Sequence, residues 1–119
     1  MVVAAAVPHL GLDVLLEGTG VAGRVRALTV GAFLADTTNN LPAILATAPV
    51  ANPDQVWALL FAVNAAPAFL LTGALSSLLW RDAAASGGVQ ITPQRFTSVG
   101  LRVAGPAFLA GAAVLILTP

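Results

Sequence analysis

Apolar residues fill most of the chain in long runs, and a few short polar segments interrupt them. The most pronounced interruption is Asp36–Pro42, which lies between apolar runs at 28–35 and 43–50. The run from Arg24 to Ala35 amounts to about 18 Å of helix, or roughly half a bilayer. Short apolar helices joined by a polar tip predict a re-entrant hairpin at 24–50, with its tip buried in protein or facing water. Two short, tilted spans joined by a tight turn are the alternative.

The second half of the chain shows another interruption and then a final apolar run. A helix start at Asn52-Pro53 opens a run that is long enough to cross a membrane, but Asn64–Pro67 and Thr72-Gly73 break it. Thr92-Pro93 starts a further helix in the same way. The predicted segments, in chain order, are a partial membrane helix at 1–17, the re-entrant hairpin at 24–50, a broken transmembrane helix at 53–80, a cytoplasmic loop at 81–92 and a last transmembrane helix at 93–118.

The composition decides the class of protein. Hydrophobic residues make up 58% of the 119 residues and charged residues only 8%, and the mean hydropathy is +0.92. A soluble domain carries about 25% charged residues. We therefore predict an all-α, multi-pass integral protein of the inner (plasma) membrane, with a soluble alanine-rich helical domain as the alternative.

Charge and reactive residues narrow the function classes. The formal net charge is zero, so nothing in the sequence recruits nucleic acid by charge. Cysteine is absent and there is one histidine, so thiolate metal sites and most hydrolase arrangements are excluded. The sequence predicts a protein that is not an enzyme and that holds no metal or cofactor.

Arginines set the predicted orientation. Arg81, Arg95 and Arg102 share one side of the membrane, which we assign to the cytoplasm. The C-terminus and the mouth of the hairpin then lie outside. Arg24 and Arg26 also lie outside, against the positive-inside rule.

The two interruptions supply the candidate binding groups. By helix length, both lie near the middle of the bilayer, and interrupted apolar segments are the best sequence indicator of a secondary transporter's binding site. Helix N-termini bind anions, whereas unwound carbonyls and asparagine oxygens suit Na⁺. The candidate substrate- and ion-binding residues are Thr38, Asn39, Asn40, Asn64, Pro67, Thr72, Ser76 and Ser77.

Each of these residues also has a purely structural interpretation. Adjacent asparagines commonly form a turn, and Asn64 can supply an interhelical hydrogen bond. Ser76 and Ser77 can serve close packing between helices. Asp36, the only acid near the hairpin tip, can carry a proton, pair with an arginine or end a helix.

Two motifs carry a family resemblance. The segment Asn39–Ala43, followed by Pro49, resembles the Asn-Asn-Leu-Pro segment of the arsenite efflux permeases. Val63–Pro67 and Leu75–Arg81 resemble the family's next motif, Asn-Ala-Gly-Pro followed by Ser-Leu-Ala-Thr-Leu-Leu-Trp. The chain differs from the usual family pattern by having Leu70-Leu71 for Thr-Pro, Ala74 for a serine and Ser77 for a threonine.

This resemblance implies the C-terminal part of a larger permease of the ion transporter superfamily, which includes the sodium-coupled dicarboxylate symporters. In those symporters a Ser-Asn-Thr tip on a re-entrant hairpin binds substrate and Na⁺, and Asn39–Leu41 matches it by position. The implied function is secondary transport of arsenite-like or other small anions across the lipid bilayer, with Na⁺ or H⁺ as the candidate coupling ion. A missing N-terminal repeat or a second chain supplies the other half. A small accessory or structural membrane protein and an inactive truncated permease are the alternatives.

Overall fold

The computed structural model describes residues 11–118, and every regular element in that range is helical. The predicted all-α class is therefore confirmed for these residues. Residues 1–10 of the predicted segment 1–17 lie outside the described range. The helices are α1 (Leu12–Leu15), α2 (Gly20–Thr38), α3 (Asn40–Thr47), α4 (Val56–Ala65), α5 (Leu75–Ser86) and α6 (Pro93–Leu117), with 3-10 turns at Pro53–Gln55 and Ala66–Ala68.

Helices α2 and α3 form a hairpin that has unequal arms. Helix α2 has 19 residues, or about 28 Å, so the estimate of a half-length first arm was wrong. It extends into the polar segment, where the Thr37 and Thr38 hydroxyls donate to the carbonyls of Phe33 (2.7 Å) and Leu34 (2.8 Å) one turn earlier. Helix α3 has 8 residues, or about 12 Å. Whether this hairpin is re-entrant in a membrane remains a prediction.

The apolar run after Pro53 is divided into two helices. Helix α4 ends at Ala65, Pro67 lies in the following 3-10 turn, and residues 69–74 are not helical before α5 begins. Helix α5 then continues through residues 81–86, which the sequence predicts as loop. Alanines after Asp82 favour continued helix, and the helix ends at Gly87, before Gly88 with φ 82°. The connection to α6 is therefore limited to residues 87–92.

Helix α6 is long and apolar. It has 25 residues, begins at Pro93 and is capped by Thr92, whose hydroxyl accepts from the Arg95 amide at 3.2 Å. Pro106 lies inside the helix without ending it. Within residues 11–118 this is the one helix with sufficient length and apolar character to cross a membrane, with a mean hydropathy of 1.8 over its 18-residue window. Membrane association receives weak support from this helix, and the multi-pass arrangement stays a prediction.

Small side chains dominate the core between α2 and α4. Ala27 and Ala35 of α2 and Ala62 of α4 are all fully buried. A methyl group on Gly31 would lie 2.9 Å from Leu59 Cδ1, so glycine allows the two backbones to approach closely. Such small-residue contacts are typical of helix packing in membranes.

Large apolar side chains also cover the outside of the molecule. Trp57 and Val103 are each 72% exposed and Leu117 is 79% exposed, and α5 has no buried residues. Extended apolar surface of this kind marks contact with lipid or with another protein.

Candidate functional site

The tip of the hairpin and the break in the second half of the chain contact each other directly. The backbone amide of Asn40 donates to the carbonyl of Gly73 at 3.1 Å. The Thr72 hydroxyl donates to the backbone carbonyl of Asp36 at 3.2 Å. We call this contact between residues 36–40 and 69–74 the junction. It unites two polar interruptions that are more than thirty residues apart in sequence.

Four helix ends meet at the junction. Helices α3 and α5 begin there, at Asn40 and Leu75, whereas α2 ends there at Thr38 and α4 ends just before it, at Ala65. The N-cap of α5, Ala74, makes no side-chain cap hydrogen bond. Helix starts carry partial positive charge and free amide donors, and helix ends carry partial negative charge and free carbonyls.

At the start of α3 the amides of Asn40 and Leu41 are already bonded, to Gly73 and to the Asn39 side chain, and Pro42 has no amide hydrogen. Among the described residues, the amide donors that the junction offers to an anion are therefore those at the start of α5.

Asn39 makes the turn between α2 and α3. Its φ of 89° and ψ of 151° belong to a backbone region that is nearly restricted to glycine and costs on the order of 1–3 kcal/mol for other residues. Its backbone amide still bonds to Ala35 at 3.0 Å, and its side-chain oxygen accepts from the Leu41 amide at 3.5 Å. This strain makes Asn39 a candidate functional residue.

Gly73 brings the two sides of the junction into close contact. A methyl group at this position would lie 2.7 Å from Pro67 Cα and 2.8 Å from Asp36 Oδ1. Real Cβ atoms essentially never come this close to other atoms. The absence of a side chain at Gly73 is therefore required for the junction to close.

Asp36 contributes the only carboxyl group of the described junction. Its Oδ1 atom is buried and has no hydrogen-bond partner among residues 11–118. The backbone amide of Leu70 lies close to the same carboxyl group. Gly73 was not among the predicted site residues, and Asp36 was predicted only to carry a proton, pair with an arginine or end a helix. Neither residue could be assigned to the site from the sequence, because their contacts there are with residues that are distant along the chain.

Most, but not all, of the predicted site residues are brought together. Thr38, Asn39, Asn40, Pro67 and Thr72 lie in or directly against the junction.

Asn64, Ser76 and Ser77 are placed differently. The Asn64 side chain is exposed and donates to the Leu60 carbonyl of its own helix at 2.7 Å. Ser76 and Ser77 line an open cavity of about 350 Å³ together with Trp80 and Phe96. Their side chains do not take part in the hydrogen bonds that join the hairpin tip to the break, and a binding role for them stays a prediction.

A separate set of contacts holds the base of the hairpin, which is the end opposite the tip, near the start of α2. The Arg24 guanidinium donates to the carbonyls of Leu115, at 3.3 Å, and of Thr118, at the C-terminal end of α6. Asp54 accepts from the amide of Gly20 at 2.7 Å and so caps α2 rather than its own helix. The base of the hairpin and the end of α6 thus lie at one end of the molecule, and the side of a membrane that this end faces stays a prediction.

The buried Gln55 completes this arrangement. Its side-chain nitrogen donates to the backbone carbonyls of Leu16, at 2.8 Å, and Gly18, at 3.0 Å. Its side-chain oxygen accepts from the backbone amide of Asn52 at 3.0 Å. All of its hydrogen-bonding atoms are satisfied without solvent, which suits a structural role.

Comparison with family models, with curated proteins and with solved structures finds no match to this chain. The resemblance to arsenite efflux permeases accordingly stays a prediction.

Proposed function

We propose that this chain provides half of the substrate site of a secondary transporter for a small anion of the arsenite or carboxylate type. The meeting of two helix starts and two helix ends at the junction is the observation that carries the proposal. Interrupted helices whose half-helix ends face a common site are how secondary transporters bind ions away from water.

The chemistry of the junction suits an anion that also needs a counter-cation. The start of α5 supplies amide donors for the anion, and the starts of α3 and α5 both supply partial positive charge. The side-chain nitrogens of Asn39 and Asn40 can donate to anion oxygens, and their side-chain oxygens can accept from a protonated substrate. The carbonyls at the ends of α2 and α4 favour a cation.

Movement of residues 69–74, the break between α4 and α5, is the proposed route to alternating access. Backbone contacts hold residues 69–74 against the hairpin tip, whereas the following helix α5 has no buried residue. Loss of the contacts at Gly73 and Thr72 would open the junction without disrupting the core between α2 and α4. A second copy of the chain, or a further repeat, would cover the open side.

Membrane insertion is the first test. We expect the expressed chain to stay in the membrane pellet after an alkaline carbonate wash and to need detergent for release. Recovery in the soluble fraction without detergent would rule out the transporter proposal.

Transport is the second test. Purified chain in liposomes is expected to take up labelled arsenite or a small dicarboxylate, and Asn40→Ala should abolish uptake while leaving expression and insertion intact. Gln94→Ala, an exposed amide outside the junction, is the matched control and should transport normally. Uptake by Asn40→Ala at the wild-type rate would contradict the site assignment.

A small structural or accessory membrane protein is the second candidate function. The close α2–α4 packing at Gly31 favours it, because a packed helical hairpin alone can serve to hold a partner. Stable insertion of the wild type without uptake of any tested anion, alone or with a coexpressed partner, would support this function instead.

A further inference from the structure

An apolar groove lies between helices α5 and α6 and has a volume of about 550 Å³. Ala68 and Gly100 both lie in its lining, where α6 approaches the 3-10 turn so closely that a methyl group on Gly100 would lie 2.0 Å from the Ala68 carbonyl oxygen. The larger side chains of the lining are apolar, and these are Trp80, Val89, Ile91, Phe96, Val99 and Val103.

The groove is open to the outside of the molecule. Trp80, Val99 and Val103 are each more than half exposed, and α5 has no buried residue. The rings of Trp80 and Phe96, whose centroids are 6.3 Å apart, join the two walls. An apolar occupant would therefore cover exposed surface on both helices.

Arg95 is the one charged residue that lines the groove among residues 11–118. It lies in the first turn of α6, is exposed, and its guanidinium forms no ion pair or hydrogen bond within those residues. Val103, on the same helix, lies eight residues farther along, or about 12 Å. The groove therefore has a cationic group near the start of α6 and is apolar toward the middle of this helix.

A phospholipid with a net negative charge has the matching arrangement, with a phosphate at the membrane surface and an acyl chain below it. Guanidinium groups bind phosphate oxygens through paired hydrogen bonds, and basic pockets between transmembrane helices bind anionic head groups. A helix of another protein fits less well. With its side chains it is about 10–12 Å wide, so a volume of this size would hold only about one turn.

We propose that the groove between α5 and α6 binds one anionic phospholipid, with the phosphate on Arg95 and an acyl chain along Phe96, Val99 and Val103. This inference goes beyond transport, and it applies equally to a structural or accessory protein because it needs only that the chain lies in a membrane. The bound lipid would brace α5, which has no buried residue within the described chain, against α6.

Quenching of Trp80 fluorescence by phospholipids with brominated acyl chains tests the site. The chain has two tryptophans, so Trp57→Phe leaves Trp80 as the single reporter. This protein is placed in phosphatidylcholine liposomes that contain either brominated phosphatidylglycerol or brominated phosphatidylcholine. We expect quenching by both lipids, with about five-fold preference for phosphatidylglycerol, which is the effect of about one arginine near an anionic head group. Arg95→Gln in the same background should lower this ratio to about one.

Two matched controls separate a specific site from general attraction to the protein surface. Arg102→Gln removes an exposed arginine that lies on the same helix but outside the groove, and it should keep the preference of Trp80 for phosphatidylglycerol. Trp80→Phe makes Trp57 the single reporter instead. Trp57 lines a different cavity, together with the opposite charges of Arg24 and Asp54, and should be quenched equally by the two lipids.

Several outcomes would overturn the lipid site. These are equal quenching of Trp80 by the two lipids, a preference that survives Arg95→Gln, a preference that Arg102→Gln also abolishes, or the same preference at Trp57. If neither lipid quenches Trp80 in an inserted chain, protein covers the groove and the proposal is wrong. A chain that shows the preference but transports no tested anion would count against the transport function alone, and transport without the preference would refute the lipid site alone.

Discussion

Replacing Gly73 with alanine is the sharpest test of the junction. The new methyl group would lie 2.7 Å from Pro67 Cα, 2.8 Å from Asp36 Oδ1 and 3.1 Å from Pro67 Cβ. Pro67 is buried and its backbone cannot rotate away, so one side of the junction must move. Forcing a methyl group into a packed site costs about 1–3 kcal/mol.

One opposing effect reduces that cost only partly. Alanine restricts the unfolded chain and so returns about 0.4–1 kcal/mol where the backbone suits it, and φ at Gly73 is not positive. The expected net loss in the free energy of unfolding is about 1–2 kcal/mol. At about 4 °C per kcal/mol for a chain of this size, Tm should fall by about 4–8 °C.

Tryptophan fluorescence during thermal unfolding in detergent measures this change. Gly105→Ala is the matched control, since a methyl group there meets no atom within 4 Å and alanine favours helix by about 1 kcal/mol. Its Tm should be unchanged or higher. If Gly73→Ala and Gly105→Ala have the same Tm, the hairpin tip and the break are not in close contact and the site described here is wrong.

The remaining predictions concern stability, and each is checked by the same unfolding measurement. Gly100→Ala should be more damaging than any other glycine change, because its methyl group would lie 2.0 Å from the Ala68 carbonyl oxygen; a small effect would place α6 farther from the break. Gln55→Ala should lose about 1–3 kcal/mol by leaving the buried Leu16 carbonyl without its donor, and tolerance of alanine would mean that water reaches this site. Asn39→Gly should raise the unfolding free energy by about 1 kcal/mol by relieving its backbone, yet lower transport; a drop in stability would show that the asparagine side chain outweighs the strain. Arg24→Gln should lose about 1 kcal/mol at the end of α6, and unchanged stability would mean the contact is not maintained.

Local signals in the sequence predicted the helix starts correctly. Asn52-Pro53 and Thr92-Pro93 both open helical structure where expected, since a capping side chain and a proline at the first position act within a few residues. The break around Pro67 was also predictable, because proline disrupts a helix wherever it falls in its interior.

Features that depend on contacts between distant residues were not predictable in the same way. The length of α2 was underestimated at both ends: the helix begins at Gly20 instead of Arg24, and it continues through Thr37 and Thr38, whose hydroxyls bond within the helix. The contact of Asp36 with Gly73 joins residues from separate interruptions, and nothing in either segment alone reveals its partner. Arg24 was used to judge orientation, whereas the structure gives it the carbonyls at the end of α6.

Helix α5 carries a consequence for the pattern of mutations that the protein can tolerate. It contributes no buried residue to the described chain, so the packing of this chain places little restriction on the volume of its side chains. A systematic scan of substitutions in Leu75–Ser86, scored for function in cells, would therefore report on whatever lies outside the chain. A face that accepts any apolar residue marks lipid, and a face that accepts only one shape marks another protein surface.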